Sequence, residues 1–534
     1  MKYYKIVLSG AYRETGIQTK GLMSAADKEG FRFDQFYIKT EMLLKQKDVD
    51  KIFIECRTDF TVSLFAGLEE ICERIEKLKE NGKEVYFYAA SYGVKELYIA
   101  SFCSFRIIHP LGSLKFPGIS QSFSFTSRFL RRFGVEAEVV RRAEYKSAGD
   151  RFSTDRLQDA NKEQYEFYLN SVMAELKAKI ISGFGKTSDD LQLLLDGKVY
   201  PASVAEDESW IDEVATSSEF LERWKDGGDK EFKIKKLPDK IGGKFSFKSS
   251  QIAVLVFEGS IIDGHSKRHP LLGQSVGAES FIPVIRKIRE NKKIKAVVLR
   301  INSGGGSAIA SEDITSELRL LADKKPLIVS MSEVAGSGGY WMSCCGEKTF
   351  ALPTTLTGSI GVISIYLNWH RLSDSLGLTH DTIRIGEHSD LGSPYRSITE
   401  KERQIIDGEI ENMYGSFIQT VSSARKLENT AVRKIAGGRV WPGLAASENG
   451  LVDSVGGLSA AIKAAMNAAG KENASIKFYP EIKQGLAEKL LSNLSKNDED
   501  DLELLTNIAK LKLKDFSCKE PLAVVEETLF SGRG

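Results

Sequence analysis

The 534-residue chain is poor in the residues that define several protein classes. It has six cysteines, and none is spaced as a CxxC pair. Cys344 and Cys345 are adjacent, so a bridge between them would be badly strained. A disulfide scaffold is therefore excluded, and the thiols read as free and buried. With six histidines and no HExxH, no metal site is expected. Twelve prolines among 46 glycines exclude a collagenous or proline-rich disordered chain. Neither sign of charge dominates: 74 Lys+Arg face 73 Asp+Glu, which argues against a nucleic-acid partner. No apolar run approaches the roughly 18 residues of a membrane span. The apolar run near the N-terminus is too short for a signal peptide and reads as a first strand, residues 4–9. These features imply a cytoplasmic protein or one attached peripherally to a membrane.

What is present is a long internal repeat. KEVYFY at 83–88 leads through a glycine-containing turn to Tyr98 and Ser101, and KPLIVS at 325–330 leads in the same way to Tyr340 and Ser343. Further on, GKVYP at 197–201 matches GRVWP at 438–442, and the match continues through Ala205/Ala446, Asp212/Asp453 and Val214/Val455. Two matches at offsets of 242 and 241, in the same order, indicate a duplicated domain. The Lys- and Gly-rich stretch 226–250 reads as the linker. The expected organisation is 1–225, linker 226–250, 251–470, and a charged helical extension over 471–534 that contains the acidic run NDEDD at 497–501. In the second half, strands are predicted at 252–257, 296–301, 327–331 and 349–352, and helices at 279–290, 311–321 and 338–345. This alternation implies an α/β fold with mostly parallel strands.

Three segments could carry chemistry. NSGGGS (302–307) follows a buried strand, and its glycines can turn the backbone so that bare N–H groups face outward. It lacks the Gly-Lys-Ser/Thr of a P-loop, and Ile309 stands where a dinucleotide fingerprint needs glycine. It reads as a cradle for a tetrahedral oxyanion or, alone, as a tight turn. VAGSGGYW (334–341) places Ser337 at a helix start, with the Gly338 N–H facing an oxyanion formed on a carbonyl that Ser337 attacks. Ala335 breaks the GxSxG elbow, which disfavours a Ser-His-Asp hydrolase; small residues packing a helix tightly would give the same pattern. Lys146, in EYKS at 144–147, is a general base only if burial lowers its pKa by several units; otherwise it is a surface charge.

The repeat relates these segments. Lys95 stands opposite Ser337, His388 opposite Lys146, and Thr61 and Val62 opposite Gly305 and Gly306. Each half has kept part of one site, so that Lys146 and Ser337 would form a single Ser-Lys dyad.

Together, LRINSGGGSAIASE, KPLIVSMSEVAGSGGYWMS, TLTGSIGVIS and AEYKSAGDRF resemble the signal peptide peptidase A (protease IV) family in its long tandem form, over most of residues 1–465. The resemblance implies tandem Clp-protease/crotonase-like α/β domains, no cofactor, and hydrolysis of signal peptides or other small hydrophobic peptides through an acyl-enzyme. It implies Ser337 as nucleophile, Lys146 as general base, Ser359 as the hydroxyl orienting the lysine amine, and Gly306 and Gly338, with Gly305 beside them, as the oxyanion hole. It also implies a ring-like homo-oligomer, with a tetramer as the first expectation. Three departures stand out. Gly304 occupies the place of a proline common in the family's cradle, which loosens the loop. His388 stands at the lysine-equivalent position, as a surface histidine or an alternative base. No N-terminal membrane anchor is visible.

Two other readings are distinguishable. A crotonase-like acyl-thioester enzyme would need a basic coenzyme A pocket and an acid near the cradle, where only Glu312 and Asp313 stand close in sequence. A non-catalytic assembly protein would have no need of the serine and the lysine. Apolar segments around the cradle and residues 359–365 are the expected specificity pocket, and residues 263–273 a lid.

Overall fold

The computed structural model describes residues 1–16, 30–234, 237–238, 241, 250–269, 273–472 and 474–481. The expected helical extension beyond 481, its acidic run, Cys518 and much of the 226–250 stretch lie outside the described residues.

Strand composition explains the sheets. IFIEC and VVLRI are mostly apolar and buried on both faces, as strands covered on two sides are, with Arg300 the charged exception inside VVLRI. In the first half the strands run in the order Glu213–Val214, Phe105–Ile108, Glu84–Ala89, Lys51–Cys56, Lys2–Leu8, Lys230–Glu231, all parallel. In the second half Ser454–Val455, Lys348–Ala351, Leu327–Gly336, Ile294–Ser303, Gln251–Glu258 and Ser475–Tyr479 repeat that order, again all parallel. The halves also share a matching short antiparallel pair, Ser113–Leu114 with Tyr200–Pro201 in the first and Leu356–Gly358 with Val440–Pro442 in the second. The duplication is thus present in the topology as well as in the sequence.

The predicted second-half helices appear as Ala278–Glu290, Ala308–Ala322 and Gly338–Ser343. The strand expected at 327–331 runs on to Gly336. Its extra residues read as polar in sequence, yet Ser332 and Glu333 are buried against the other half. There the Ser332 hydroxyl donates to Glu14 of the first half, and the Leu64 N–H donates to Glu333 at 2.7 Å.

The halves share one core. Ile252, Val254, Val298 and Leu458 lie in the same apolar cluster as Phe36, Ile54 and Ile71. A second tie is the antiparallel ribbon in which Glu136–Arg142 of the first half pairs with Val362–Asn368 of the second. Because of this crossed arm, the segment carrying Lys146 is held by the half that carries Ser337.

The seam is also electrostatic. Arg300, fully buried, donates to Glu14 at 2.9 and 3.0 Å and to Glu70 at 2.7 Å, both from the first half. Burial pushes Glu70 up to about 7, and Glu69 and Glu333 up to about 8. Acids raised in this way favour the folded chain most below their unfolded values near 4.5, and that contribution is lost as pH rises to 8. Arg300→Met strands two acids and is expected to cost about 3–5 kcal/mol near neutral pH. The deficit should shrink at pH 5, below the value near 7 at which Glu70 takes up its proton. Melting temperatures of both proteins between pH 5 and 9 check this; equal deficits at every pH would contradict it.

Candidate active site

The geometry starts from strand register. Leu327–Gly336 and Leu356–Gly358 are parallel neighbours whose last pair is Gly336 with Gly358. Ser337 and Ser359 are the next residues on each strand, and the Ser337 N–H donates to the Gly358 carbonyl at 2.9 Å. Both serines have φ of 53°, outside the conformations most side chains adopt. Each strand therefore ends in a sharp turn that lifts a hydroxyl clear of the sheet. Ser337 also caps the helix Gly338–Ser343, so the Gly338 N–H comes before the first intrahelical acceptor and is free to point outward.

The glycine loop closes against this turn. Gly305 and Gly306 have φ of 102° and 153°. A Cβ on Gly305 would lie 2.7 Å from Ser337 Cβ and 2.8 Å from Gly338 N, and one on Gly306 would lie 2.0 Å from the Ile261 carbonyl oxygen. Any side chain at 305 would fill the space in front of the Gly338 N–H. Ile261 bridges Gly306 by donating to the Gly305 carbonyl and accepting from Ser307, both at 2.9 Å. In such a parallel bridge the Gly306 N–H faces the opposite side. Gly305, Gly306, Gly338 and Ser337 thus enclose one small concavity.

Lys146 arrives from the other half on the turn after Glu136–Arg142. It is 6% exposed, and its amine donates to the Ser359 hydroxyl at 2.9 Å and to the Ser359 carbonyl at 2.8 Å. Burial alone lowers its pKa to about 7. The expected residues Ser337, Ser359, Lys146, Gly305, Gly306 and Gly338 therefore gather at one place.

His388 lies elsewhere, 3.6 Å from Glu402 and 3.9 Å from Glu387. Of the segment 263–273, expected as a lid, the described residues are 263–269 and 273. Ser260–Ile262, Lys267–His269 and Gly273–Gly277 make a small sheet tied to the cradle through Ile261 and through Ser307, whose hydroxyl donates to Asp263 at 2.9 Å; residues 270–272 lie outside the described residues. Glu312 is bound to Trp341 and Arg319. Lys95, opposite Ser337 in the repeat, donates to the Phe60 carbonyl. Among the described residues no helix is long and apolar enough to cross a membrane, and no His/Cys/Asp/Glu cluster could hold a metal ion.

Two features escaped sequence reading. The Arg300 seam was invisible because its partners are 230 and 286 residues away. GRVWP at 438–442 reads in sequence as half of a repeat, with no sign that its turn rests on Lys146.

A duplicated α/β fold sets a serine at a strained strand end beside a glycine cradle, an arrangement that suits attack on a carbonyl. The family model described as peptidase family S49 matches twice, over residues 77–230 and 319–472, together more than half of the chain. The serine protease SPPA, chloroplastic, of Arabidopsis thaliana is 32% identical over 408 residues, covering 74% of this chain and 60% of that protein. Protease 4 of Haemophilus influenzae is 29% identical over 464 residues, 82% of this chain and 74% of that protein. A putative signal peptide peptidase SppA of Enterococcus faecium is 33% identical over 216 residues, 40% of this chain and 63% of that protein. The chain belongs to peptidase family S49.

Proposed function

We propose that the protein cleaves signal-peptide remnants and other small apolar peptides with a Ser-Lys dyad assembled from its two halves. One observation carries this reading: the buried amine of Lys146 is hydrogen-bonded to Ser359, the residue beside Ser337 across the strand pair. Neutral Lys146 takes the proton from Ser337 Oγ as that oxygen attacks the scissile carbonyl. The oxyanion is received by the N–H groups of Gly306 and Gly338. As the C–N bond breaks, the lysine ammonium returns the proton to the leaving amine. Water then attacks the acyl-enzyme, giving its proton to Lys146, which passes it to Ser337 Oγ as the acyl C–O bond breaks, so the hydroxyl and the neutral amine are both restored. Ser359 keeps the amine aimed throughout, in the role of a triad's third member.

The choice of apolar peptides is supported by the apolar part, Ala308, Ile309, Trp341, Cys344 and Met413, of a groove of about 760 Å³ that Glu312, Arg319 and Gln419 also line. A homo-oligomer, with a tetramer as first expectation, is supported by the bare apolar surface of the second-half arm, where Ile383 and Ile385 are over 90% exposed. Sedimentation of wild type and Ile383→Glu reads that directly. The test of the chemistry is a fluorophosphonate probe followed by peptide mapping. Modification confined to Ser337 is expected. An unmodified Ser337 together with uncut peptides would favour the assembly-protein reading, and calorimetric binding of coenzyme A the thioester reading.

A further inference from the structure

The motif GRVWP recurs from GKVYP in the first half, and the mechanism above leaves it without a role. The two copies differ in what they touch. Gly197, in the first copy, has open space where a Cβ would stand. Gly438, its counterpart with φ of 75°, would place a Cβ 2.6 Å from the Lys146 backbone nitrogen and 2.7 Å from Lys146 Cβ. Only a bare α-carbon lets the turn press on the lysine this closely.

The same turn holds the lysine's partner. The Tyr145 N–H donates to the Gly437 carbonyl at 2.9 Å, and the Ser359 N–H donates to the Arg439 carbonyl at 2.8 Å. Three consecutive residues, 437–439, thus grip both the residue before Lys146 and the residue to which its amine is bonded. The Arg439 side chain fixes the turn in place. Its guanidinium lies 5.0 Å from the Tyr145 ring and 4.6 Å from the Trp441 ring, and it pairs with Glu163 at 2.9 Å. Tyr145 donates its hydroxyl to the same glutamate at 3.0 Å.

We propose that Arg439 is a positioning residue for the base: it locks the 437–439 turn onto Lys146 and Ser359, holds the amine on the hydroxyl, and keeps water away from it. This rests on the dyad reading above. The other charged groups around the Lys146 turn are Glu144 in the turn itself, Arg141, paired with Asp150, and Arg142, paired with Glu411 and Asp407. They lie on the strand entering the turn, on the short helix Asp150–Ser153 that follows it and on the helix Glu400–Arg425, and the variants below leave them in place.

The experiment compares kcat and KM from pH 5 to 10 for wild type, Arg439→Met, Arg439→Lys and Glu163→Gln, with Lys198→Met as the matching change in the idle copy. A chromogenic peptide ester serves as substrate. Arg439→Met is expected to lower kcat about tenfold or more with KM within threefold. Its acid limb should move up by about one pH unit, since a wetter amine holds its proton to higher pH. Arg439→Lys should recover part of both effects, and Lys198→Met should change neither. Glu163 is more than half exposed, so Glu163→Gln tests the lock without risk to folding; it should shift the limb the same way by less. If kcat falls in Arg439→Met and Glu163→Gln with the acid limb unmoved, or if Lys198→Met acts equally, the inference is overturned while the dyad stands. If Lys146→Met keeps full activity, the dyad reading falls, and this inference with it.

Discussion

Ser337→Ala is expected to reduce peptide hydrolysis by about 10⁴–10⁶-fold, because removing a nucleophile leaves only binding and oxyanion stabilisation. The fold should survive. Ser337 makes its structural bond through its backbone N–H to Gly358, and alanine keeps that donor. The φ of 53° strains either residue, so the melting temperature should stay within a few degrees of wild type. Substrate affinity should be nearly unchanged, so the loss falls on kcat. The measurement is steady-state hydrolysis of a peptide ester alongside a thermal melt. Retained activity in well-folded Ser337→Ala would remove the serine from the chemistry.

Lys146→Met is expected to lower kcat by about 10²–10⁴-fold, the usual worth of a positioned base. It should also do what few inactivating changes do and raise stability. The native amine has its pKa lowered from 10.5 to about 7 by burial, so the fold disfavours its charged form. For such a group the favourable contribution is present above the unfolded value and is lost as pH falls through about 7. Between pH 6 and 9 the buried lysine therefore costs the fold a few kcal/mol, at about 1.4 kcal/mol per pH unit. Methionine of similar length removes that cost, with the bonds to Ser359 lost in exchange. The variant should melt higher than wild type at pH 6. In the wild type, kcat/KM should rise with pH through a limb near 7, as Lys146 loses its proton. A limb near 10 would describe an ordinary surface lysine.

Much of this was readable from one chain, for identifiable reasons. The duplication was legible because matching strands kept their spacing at offsets of 242 and 241, and the sheets repeat the same order. Ser337 and the glycine cradle were legible because turns with positive φ and close backbone approach leave few residue choices. Lys146 could be named, but its burial could not be read, since that depends on Ser359 and Gly438, more than 200 residues away. The seam shows the same limit. Glu333 and Arg300 carry no mark of their partners in sequence, and only the docking of two halves makes them buried partners of Leu64, Glu14 and Glu70. Patterns with a local cause survive in one dimension. Those made by contact between halves do not.

The central claim is that a neutral amine from one half meets a hydroxyl from the other. The most direct measurement is the separation of Lys146 Nζ and Ser337 Oγ in an experimental structure of the assembled enzyme near pH 8. The account predicts hydrogen-bond reach, about 2.6–3.2 Å, with Ser359 bonded to the same amine. Atoms held well apart, both within the chain and across every contact between neighbouring chains, would contradict it.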